Sequence, residues 1–399
     1  MSDQNNSVFE QRVASLRELL DQNDLDALIV SHDDEYLSYE LNEDEERLKY
    51  ITGFSGSAGY AVITRNDLKI NEESIEINQD NSENSTLVER DCAVFVDGRY
   101  VVQVKEQIDT DIFQDFDLAK VKPAKWISSV MPKNSTVGID INCISYKEYI
   151  SIKNELGMNN INLIATESNL VDKIWTDKPA PVISEISIFP DEYNGCPSPQ
   201  KRQLIAQTLR DKDLDATVIS DPESICWLLN IRGRDRAYLP VINCKMVAYS
   251  NEALEWYINP NHFKDENLQD QLQEHIGHID IFPEEAFDDV LDRLCSSSCT
   301  VYVDPETTNA HVMTKLYSGG AKVSEGLGLC QMPKACKNHI EVAGEYKAHI
   351  KDGIAMCRFL SWLDNLTALD KPTDSDEAFL RRVEGVDEAE LAARALSFR

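Results

Sequence analysis

Nowhere in these 399 residues does an apolar run approach the roughly 18 residues that a membrane-spanning helix requires. The polar N-terminus, Met1-Ser-Asp-Gln-Asn-Asn-Ser7, lacks both a cationic start and an apolar stretch behind it, so no signal peptide is expected. Positive charge is scarce, with 39 Lys+Arg against 70 Asp+Glu and a formal net charge of -31. Such a surface repels phosphate backbones and anionic lipid, which argues against nucleic acid and membranes as direct partners. It leaves a basic protein or a cationic peptide electrostatically permitted. No CxxC pair occurs among the 10 cysteines, and several sit inside apolar runs, such as Cys226 before Trp227 and Cys357 before Phe359. Buried, reduced thiols in a cytoplasmic protein explain that pattern better than a disulfide frame or a zinc site. A phosphate-binding glycine loop is also missing. Gly53, Gly56 and Gly59 do not follow GxGxxG spacing, no Lys-Ser/Thr opens a helix after them, and tight turns between strands are the expected use.

What is present begins with size and a repeat. The length calls for two or three domains, and 42% hydrophobic residues can fill their cores. Asp24-Leu-Asp-Ala-Leu-Ile-Val-Ser31 recurs 189 residues later as Asp213-Leu-Asp-Ala-Thr-Val-Ile-Ser220. Helix-spaced apolar residues precede each copy: Val13, Leu16 and Leu20, then Leu204 and Leu209. An apolar run led by an aromatic follows each copy and closes on Gly53 or Gly233. Two related α/β domains follow from this repetition.

Within the first half, Gly59–Thr64, Cys92–Val96, Gly138–Ile141 and Ile161–Ala165 read as strands. Residues 71–90, rich in Asn, Glu, Ser and Asp, suggest a solvated hairpin with no functional role. Pro179, Pro181, Pro190, Gly195, Pro197 and Pro199 mark a linker. Val241–Tyr249 and Cys299–Asp304 are further strands, whereas Cys295, three serines and Cys299 suggest a loop. From Cys336 to Leu363, Ile340, Ala343, Ile350, Ile354, Cys357 and Leu360 fall at helical spacing. That long amphipathic helix needs a covering surface.

Several of these stretches resemble one family. Arg47-Leu-Lys-Tyr-Ile-Thr-Gly-Phe-Ser-Gly-Ser-Ala-Gly59, Asp97-Gly-Arg-Tyr100 with Gln103, and Asn169-Leu-Val-Asp-Lys-Ile-Trp-Thr-Asp177 are similar to first-domain motifs of the cytosolic three-domain aminopeptidases P. Ile225-Cys-Trp-Leu-Leu-Asn-Ile-Arg-Gly-Arg-Asp235 resembles a second-domain motif. Lys337 to Asp352, with Ala348-His-Ile-Lys-Asp-Gly353, looks like the first helix of the catalytic domain. The motifs stand in order across residues 8–365.

The resemblance implies an α/β protein. Two creatinase N-terminal-like domains, each a mixed sheet flanked by helices, would occupy 1–177 and 178–332. The first helices of an incomplete pita-bread peptidase domain would occupy 333–399. It implies an Xaa-Pro aminopeptidase, which releases the first residue from peptides with proline at position two and forms a homodimer. In the family, two metal ions, usually manganese, are held by two Asp, one His and two Glu. A dinuclear site lowers the pKa of its bridging water and clamps the tetrahedral oxyanion.

Those ligands belong to the family's catalytic domain beyond the segment that corresponds to residues 393–399. The expectation is therefore that residues 1–399 carry no metal ligand, bind no metal, contain no catalytic residue and are inactive alone. His262, His275, His278 and His311 lie in polar stretches and are expected at the surface. Arg47, Arg232, Arg234 and Asp235 are the candidates for substrate access or for a domain-interface salt bridge, with Asp97 or Asp235 as the acid. Asp97-Gly98 should make a turn with Arg99 pairing a nearby acid.

Two other readings stay open. One is a non-catalytic, acidic binding or scaffold module of the same fold, which the net charge would suit. The other is a creatinase-like amidinohydrolase, although those have a single N-terminal domain and the repeat argues for two.

Overall fold

The computed structural model describes residues 2–65, 76–78, 85–265, 267–367 and 386–399. Two compact units emerge, one of Met1–Ile188 with Ser198–Lys334 and one of Phe189–Pro197 with Ala335–Arg399.

The first unit is built on two mixed six-stranded sheets flanked by helices. The first comprises β1 (Ala27–Ser31), β2 (Gly59–Thr64), β5 (Cys92–Val96), β6 (Phe113–Asp117), β7 (Thr136–Ile139) and β8 (Asn162–Ala165). Between β2 and β5, β3 (Glu76–Asn78) and β4 (Ser85–Leu87) pair as an antiparallel ribbon. A two-stranded ribbon of β9 (Ser187–Ile188) and β11 (Ile231–Arg232) flanks the second sheet. That sheet contains β10 (Ala216–Ile219), β12 (Cys244–Tyr249), β13 (Leu254–Ile258), β14 (Asp280–Pro283), β15 (Thr300–Val303) and β16 (Lys322–Glu325). The strand orders are β6-β5-β2-β1-β7-β8 and β14-β13-β12-β10-β15-β16. In each, the repeated strand sits between an antiparallel and a parallel neighbour, and the topology is the same twice.

The repeated octapeptide explains this duplication at the level of atoms. Asp24 and Asp213 take left-handed backbone at φ 53° and 54°, a conformation that Asp and Asn tolerate better than most residues. The reversal lets Leu25 N donate to Leu20 O at 2.9 Å and Leu214 N donate to Leu209 O at 2.9 Å, which closes the preceding helix. Two residues on, Asp26 Oδ2 accepts from Thr136 N at 2.8 Å and Asp215 Oδ2 accepts from Thr300 N at 2.7 Å. Each side chain thereby ties its strand to the parallel neighbour.

A second matched pair closes the far end. Asp140 accepts from Asn142 N at 2.9 Å and Asn169 Nδ2 at 2.9 Å. Asp304 accepts from Glu306 N at 2.9 Å and Gly328 N at 2.8 Å. In both domains an aspartate just beyond the parallel strand anchors the segment that leaves the sheet.

Buried side chains fill both faces of each sheet, among them Trp126, Phe95 and Phe113 in the first and Trp256 and Tyr257 in the second. Burying a large apolar side chain contributes about 1.5–3 kcal/mol. The helix Ser198–Asp211 buries Ile205, Ala206 and Leu209, whereas Leu204, expected on its inner face, is 48% exposed. The ribbon β3–β4 also departs from expectation. Ile77 and Val88 are buried in the first core, so this segment packs rather than merely being solvated. The rest of 71–84 lies outside the described residues. Residues 178–188 are more than linker, since β9 pairs with β11 and Ser184 reaches Asp235.

In the second unit, the helix His339–Thr367 covers the expected amphipathic stretch. The helix Asp191–Asn194 packs on it, and Asn338 Nδ2 donates to Asn194 O at 2.7 Å. The helix Glu388–Ser397 lies along it with Arg394 over the Trp362 ring at 5.2 Å. Tyr346, Ile350, Ile354 and Leu360 are left exposed.

Candidate functional site

Residues 32–46 follow β1 without helix or strand and carry eight carboxylates, seven of them in the runs Asp33-Asp34-Glu35 and Glu43-Asp44-Glu45-Glu46. A long irregular segment inside a packed domain needs other support for its polar groups. It finds that support at the seam with the second sheet. Asp34 accepts from Ser38 N at 2.6 Å, from Ser38 Oγ at 2.9 Å and from Arg236 Nη2 at 2.5 Å. Glu45 Oε2 accepts from Asn42 N at 2.8 Å and from Arg236 Nη1. Arg236 Nη1 also donates to Glu40 O, and Asn42 Nδ2 donates to Asp235 O at 2.9 Å. Side-chain exposure is 1% for Arg236, 0% for Asp34 and 8% for Glu45, so this ion triad is dry.

Around the triad the seam continues. Asn309 Nδ2 donates to Glu35 O at 2.9 Å, and Asn309 forms a β-bridge with Ser145. Tyr36 donates to Glu284, which also receives Lys245 at 3.1 Å. Tyr146 stacks on Tyr317 at 5.7 Å between ring centres. Burial and then the neighbouring Asp34 push the Glu45 carboxyl up to about 7, against the opposing pull of Arg236. Asp33 is pushed up to about 7 as well, first by burial and then by Glu148 and Asp34. Burial lowers the His32 pKa and favours its neutral form.

The four candidate residues fall in different places. Arg47 is buried and belongs wholly to the first domain, donating to Asp172 at 2.9 and 3.0 Å and to Glu35 at 2.7 Å. Neither Asp97 nor Asp235 is its partner. Asp97 instead receives Arg99, at 2.9 Å. Burial opposes ionisation of Asp172, but bonds from Arg47 and Lys178 hold its carboxyl below the usual range. Arg232 Nη1 donates to the carbonyls of Cys226 and Ile231. Arg234 is exposed, with its backbone N–H on Ser184 Oγ at 2.7 Å. Asp235 is buried at 1% exposure, accepting from Ser184 N and Oγ and from Asn243 N. Arg236, one residue past the motif quoted from the sequence, makes the interdomain ion pairs.

Two histidines correct the surface expectation. His262 is buried at 1%, donating from Nδ1 to Ser184 O at 2.6 Å with Nε2 3.5 Å from Asp235. His311 is half-buried and reaches Asp288 at 3.0 Å, a carboxylate partner distant in sequence. His278 is exposed and His275 half-buried. All ten cysteines are free, but Cys336 and Cys357 are exposed rather than buried, and Cys295 sits buried in the helix Phe287–Ser296 instead of a loop.

Oxygen atoms of Asp34, Glu35 and Glu45 lie within 4.8 Å of one another, spacing a hard divalent cation accepts. The cationic position is already filled, by Arg236 on Asp34 and Glu45 and by Arg47 on Glu35. These residues therefore do not fit a metal centre. Among the described residues no other cluster of His, Cys, Asp and Glu has that spacing. A cavity of about 730 Å³ is an open apolar groove lined by Ile350, Ile354, Cys357, Trp362 and Phe398, without acid or histidine. Among the described helices none is long and apolar enough to cross a membrane.

Comparison with known proteins fits this architecture. Residues 12–89 and 177–341 each match the Creatinase/Prolidase N-terminal domain family. The chain is 28% identical over 377 residues to the Xaa-Pro aminopeptidase ApepP of Drosophila melanogaster, covering 92% of this chain and 56% of that protein. It is 30% identical over 390 residues to a Talaromyces marneffei protein named "Probable Xaa-Pro aminopeptidase P", covering 95% and 54%. The crystal structure of X-prolyl aminopeptidase from Caenorhabditis elegans, described as a cytosolic enzyme with a di-nuclear active site, superposes with a TM-score of 0.81 at 21% identity. That match covers 98% of this chain and 59% of the other, and it establishes the shared fold. The chain thus spans a little over half the length of these relatives. With both copies of the repeat matched, the chain carries two creatinase/prolidase N-terminal domains and is similar along nearly all its length to the Xaa-Pro aminopeptidases.

Proposed function

We propose that this chain supplies the two N-terminal domains of an Xaa-Pro aminopeptidase, occupying 1–177 and 178–332, with 333–399 opening the catalytic domain. The whole enzyme would release the first residue from peptides with proline second, using two divalent ions, manganese by preference, as a cytoplasmic homodimer. The observation that carries this reading is similarity over 92% to 95% of the chain to proteins bearing that activity in their names. The metal ligands on this reading lie outside residues 1–399. In support, the acidic cluster with suitable spacing already has arginines in the cation's place. The role of these domains is then to frame the approach to the catalytic centre, and the buried ion triad sets how they sit together.

The test is hydrolysis of an Arg-Pro-Pro type peptide, with and without manganese, by this chain alone and by the chain fused to the part of the Drosophila relative that follows the matching region. The expected result is no turnover by the chain alone and metal-dependent release of the first residue by the fusion. A folded but silent fusion would reject the peptidase reading and favour an acidic binding module. Metal-dependent turnover by the chain alone would overturn the placement of the ligands.

A further inference from the structure

The Asp34–Arg236–Glu45 triad joins two domains through one cation shared by two buried carboxylates. With both acids ionised the group carries one uncompensated negative charge in a dry seam. Charge without compensation at such a site is costly, and a proton is the simplest remedy. We propose that this triad is a proton-gated clasp: one proton taken from solvent neutralises it and tightens the seating of residues 32–46 on the second domain, and loss of that proton loosens it.

The geometry names the oxygen that takes the proton. Both Asp34 oxygens are occupied, Oδ1 by Ser38 N and Oδ2 by Ser38 Oγ and Arg236. Glu45 concentrates its bonds on Oε2, from Asn42 N and Arg236, and its Oε1 accepts none among the described residues. Oε1 is therefore free to hold hydrogen while Oε2 keeps Arg236.

The other ionisable groups around the triad are accounted for. From the same loop these are His32, which burial holds towards its neutral form, Asp33 and Glu35. Glu35 is matched by Arg47, and Asp33 faces Glu148 from the helix Tyr146–Met158. Cys143 lies near Asp34 with its thiol held protonated by burial. From the second domain Arg236 is the cation bonded to the triad, while Asp235 is held by Ser184 and Asn243, and Lys245 and Glu284 pair with each other beside Tyr36. None of these supplies a second cation to the triad, so the uncompensated charge stays with Asp34 and Glu45.

The Glu45 carboxyl, pushed up to about 7 by burial and then by Asp34, fits this arrangement. A carboxyl raised in the closed state stabilises that state fully below its open-state pKa and loses the contribution as pH rises through 7. One such proton makes the opening equilibrium of residues 32–46 roughly tenfold larger at pH 8 than at pH 6.

Hydrogen exchange read by mass spectrometry tests this on the full chain at pH 6 and pH 8, after correction for intrinsic exchange. The expected result is a rise in opening for peptides from 32–46 that is about tenfold larger in the wild type than in Glu45→Gln, whose amide mimics the protonated acid and leaves Asp33 as the raised carboxyl of the segment. Glu306→Gln, which removes the exposed seam pair with Lys147, keeps the wild-type response. Asp34→Asn gives an independent reading: with one negative charge gone, Glu45 ionises at lower pH and the rise moves below pH 6. A pH-independent wild type, or a Glu45→Gln chain whose change between pH 6 and pH 8 equals that of the wild type, overturns the proposal. If Glu45→Gln does not fold, an Asp34→Asn chain whose transition stays where the wild type has it overturns it equally.

Discussion

Replacing Arg236 with methionine keeps an unbranched stem and deletes the guanidinium with its charge, which makes the cost of the seam measurable. The substitution removes the bonds to Glu45, Asp34 and the Glu40 carbonyl and leaves two nearly inaccessible carboxylates facing one another. An exposed ion pair in the same place would be worth well under 1 kcal/mol. Breaking a buried one by removing a single partner typically costs about 3–5 kcal/mol, mostly because the remaining charge is stranded. For a body of this size that corresponds to a fall of roughly 4–8 °C in Tm. Scanning calorimetry at pH 8 is the assay, since it also reveals whether the two domains begin to melt separately.

Two further variants sharpen the argument. At pH 5.5 the deficit should shrink, because the Glu45 carboxyl, with its raised pKa, accepts a proton in the folded state and no longer needs the arginine. Adding Asp34→Asn and Glu45→Gln to Arg236→Met should recover most of the loss, since a neutral triad strands no charge. A single variant that loses less than about 1 kcal/mol at pH 8 would refute the claim that this arginine holds the seam.

Arg47→Ala should cost about 1–3 kcal/mol by removing the buried guanidinium from Glu35 and from Asp172, which keeps Lys178. Asp172 has a depressed pKa, so its contribution is present above the ordinary carboxylate range and fades as pH falls below it. Urea titrations at pH 7 and pH 3 should therefore show the gap between wild type and variant closing in acid, and an equal gap at both would contradict the pairing. With a thiol reagent under native conditions, Cys336 and Cys357 should react first and the six buried cysteines only on unfolding. Peptide mapping that finds early label on Cys226 or Cys244 would contradict their burial.

The strands were legible because β-branched and apolar residues alternate with few interruptions. Gly59–Thr64 and Cys92–Val96 begin and end where their composition changes. The duplicated fold was legible because its joints are side chains rather than volume: the left-handed aspartate and the strand-tying aspartate recur in sequence and do the same work in both copies. Phase within a helix was less legible. Leu204 and Ile205 are equally apolar neighbours, and only contact with β12 decides that Ile205 turns inward. His262 is written among polar residues, yet Asp235 and Ser184 give its ring two partners at the cost of solvent. Arg232, Arg234 and Arg236 alternate from the end of β11 into the loop after it, with no compositional difference among them. Which one is buried depends on Asp34, about 200 residues away, and no local pattern carries that information.

That last failure points to how the two copies came to differ. In the second copy β10 ends at Ile219 and a helix begins at Pro222, so the connection is minimal. In the first copy β1 ends at Ser31 and the helix begins at Arg47, and the whole acidic segment 32–46 is inserted between them. The return connection shows the opposite asymmetry. In the first copy the helix Arg47–Thr52 is followed within a few residues by β2, whereas in the second, residues 233–243 bring Asp235 and Arg236 into a loop before β12. Each copy has thus lengthened the connection that the other kept short, and the two additions meet as acid and base. The repeated residues, Asp26 with Asp215 and Asp140 with Asp304, stabilise each domain by itself. The unrepeated ones, Asp34 and Glu45 with Arg236, have no counterpart within their own domain and join it to the other. A shared ancestor explains why the two sheets look alike. The divergence of two loops explains why they form one body, and why the charge that holds it together responds to protons.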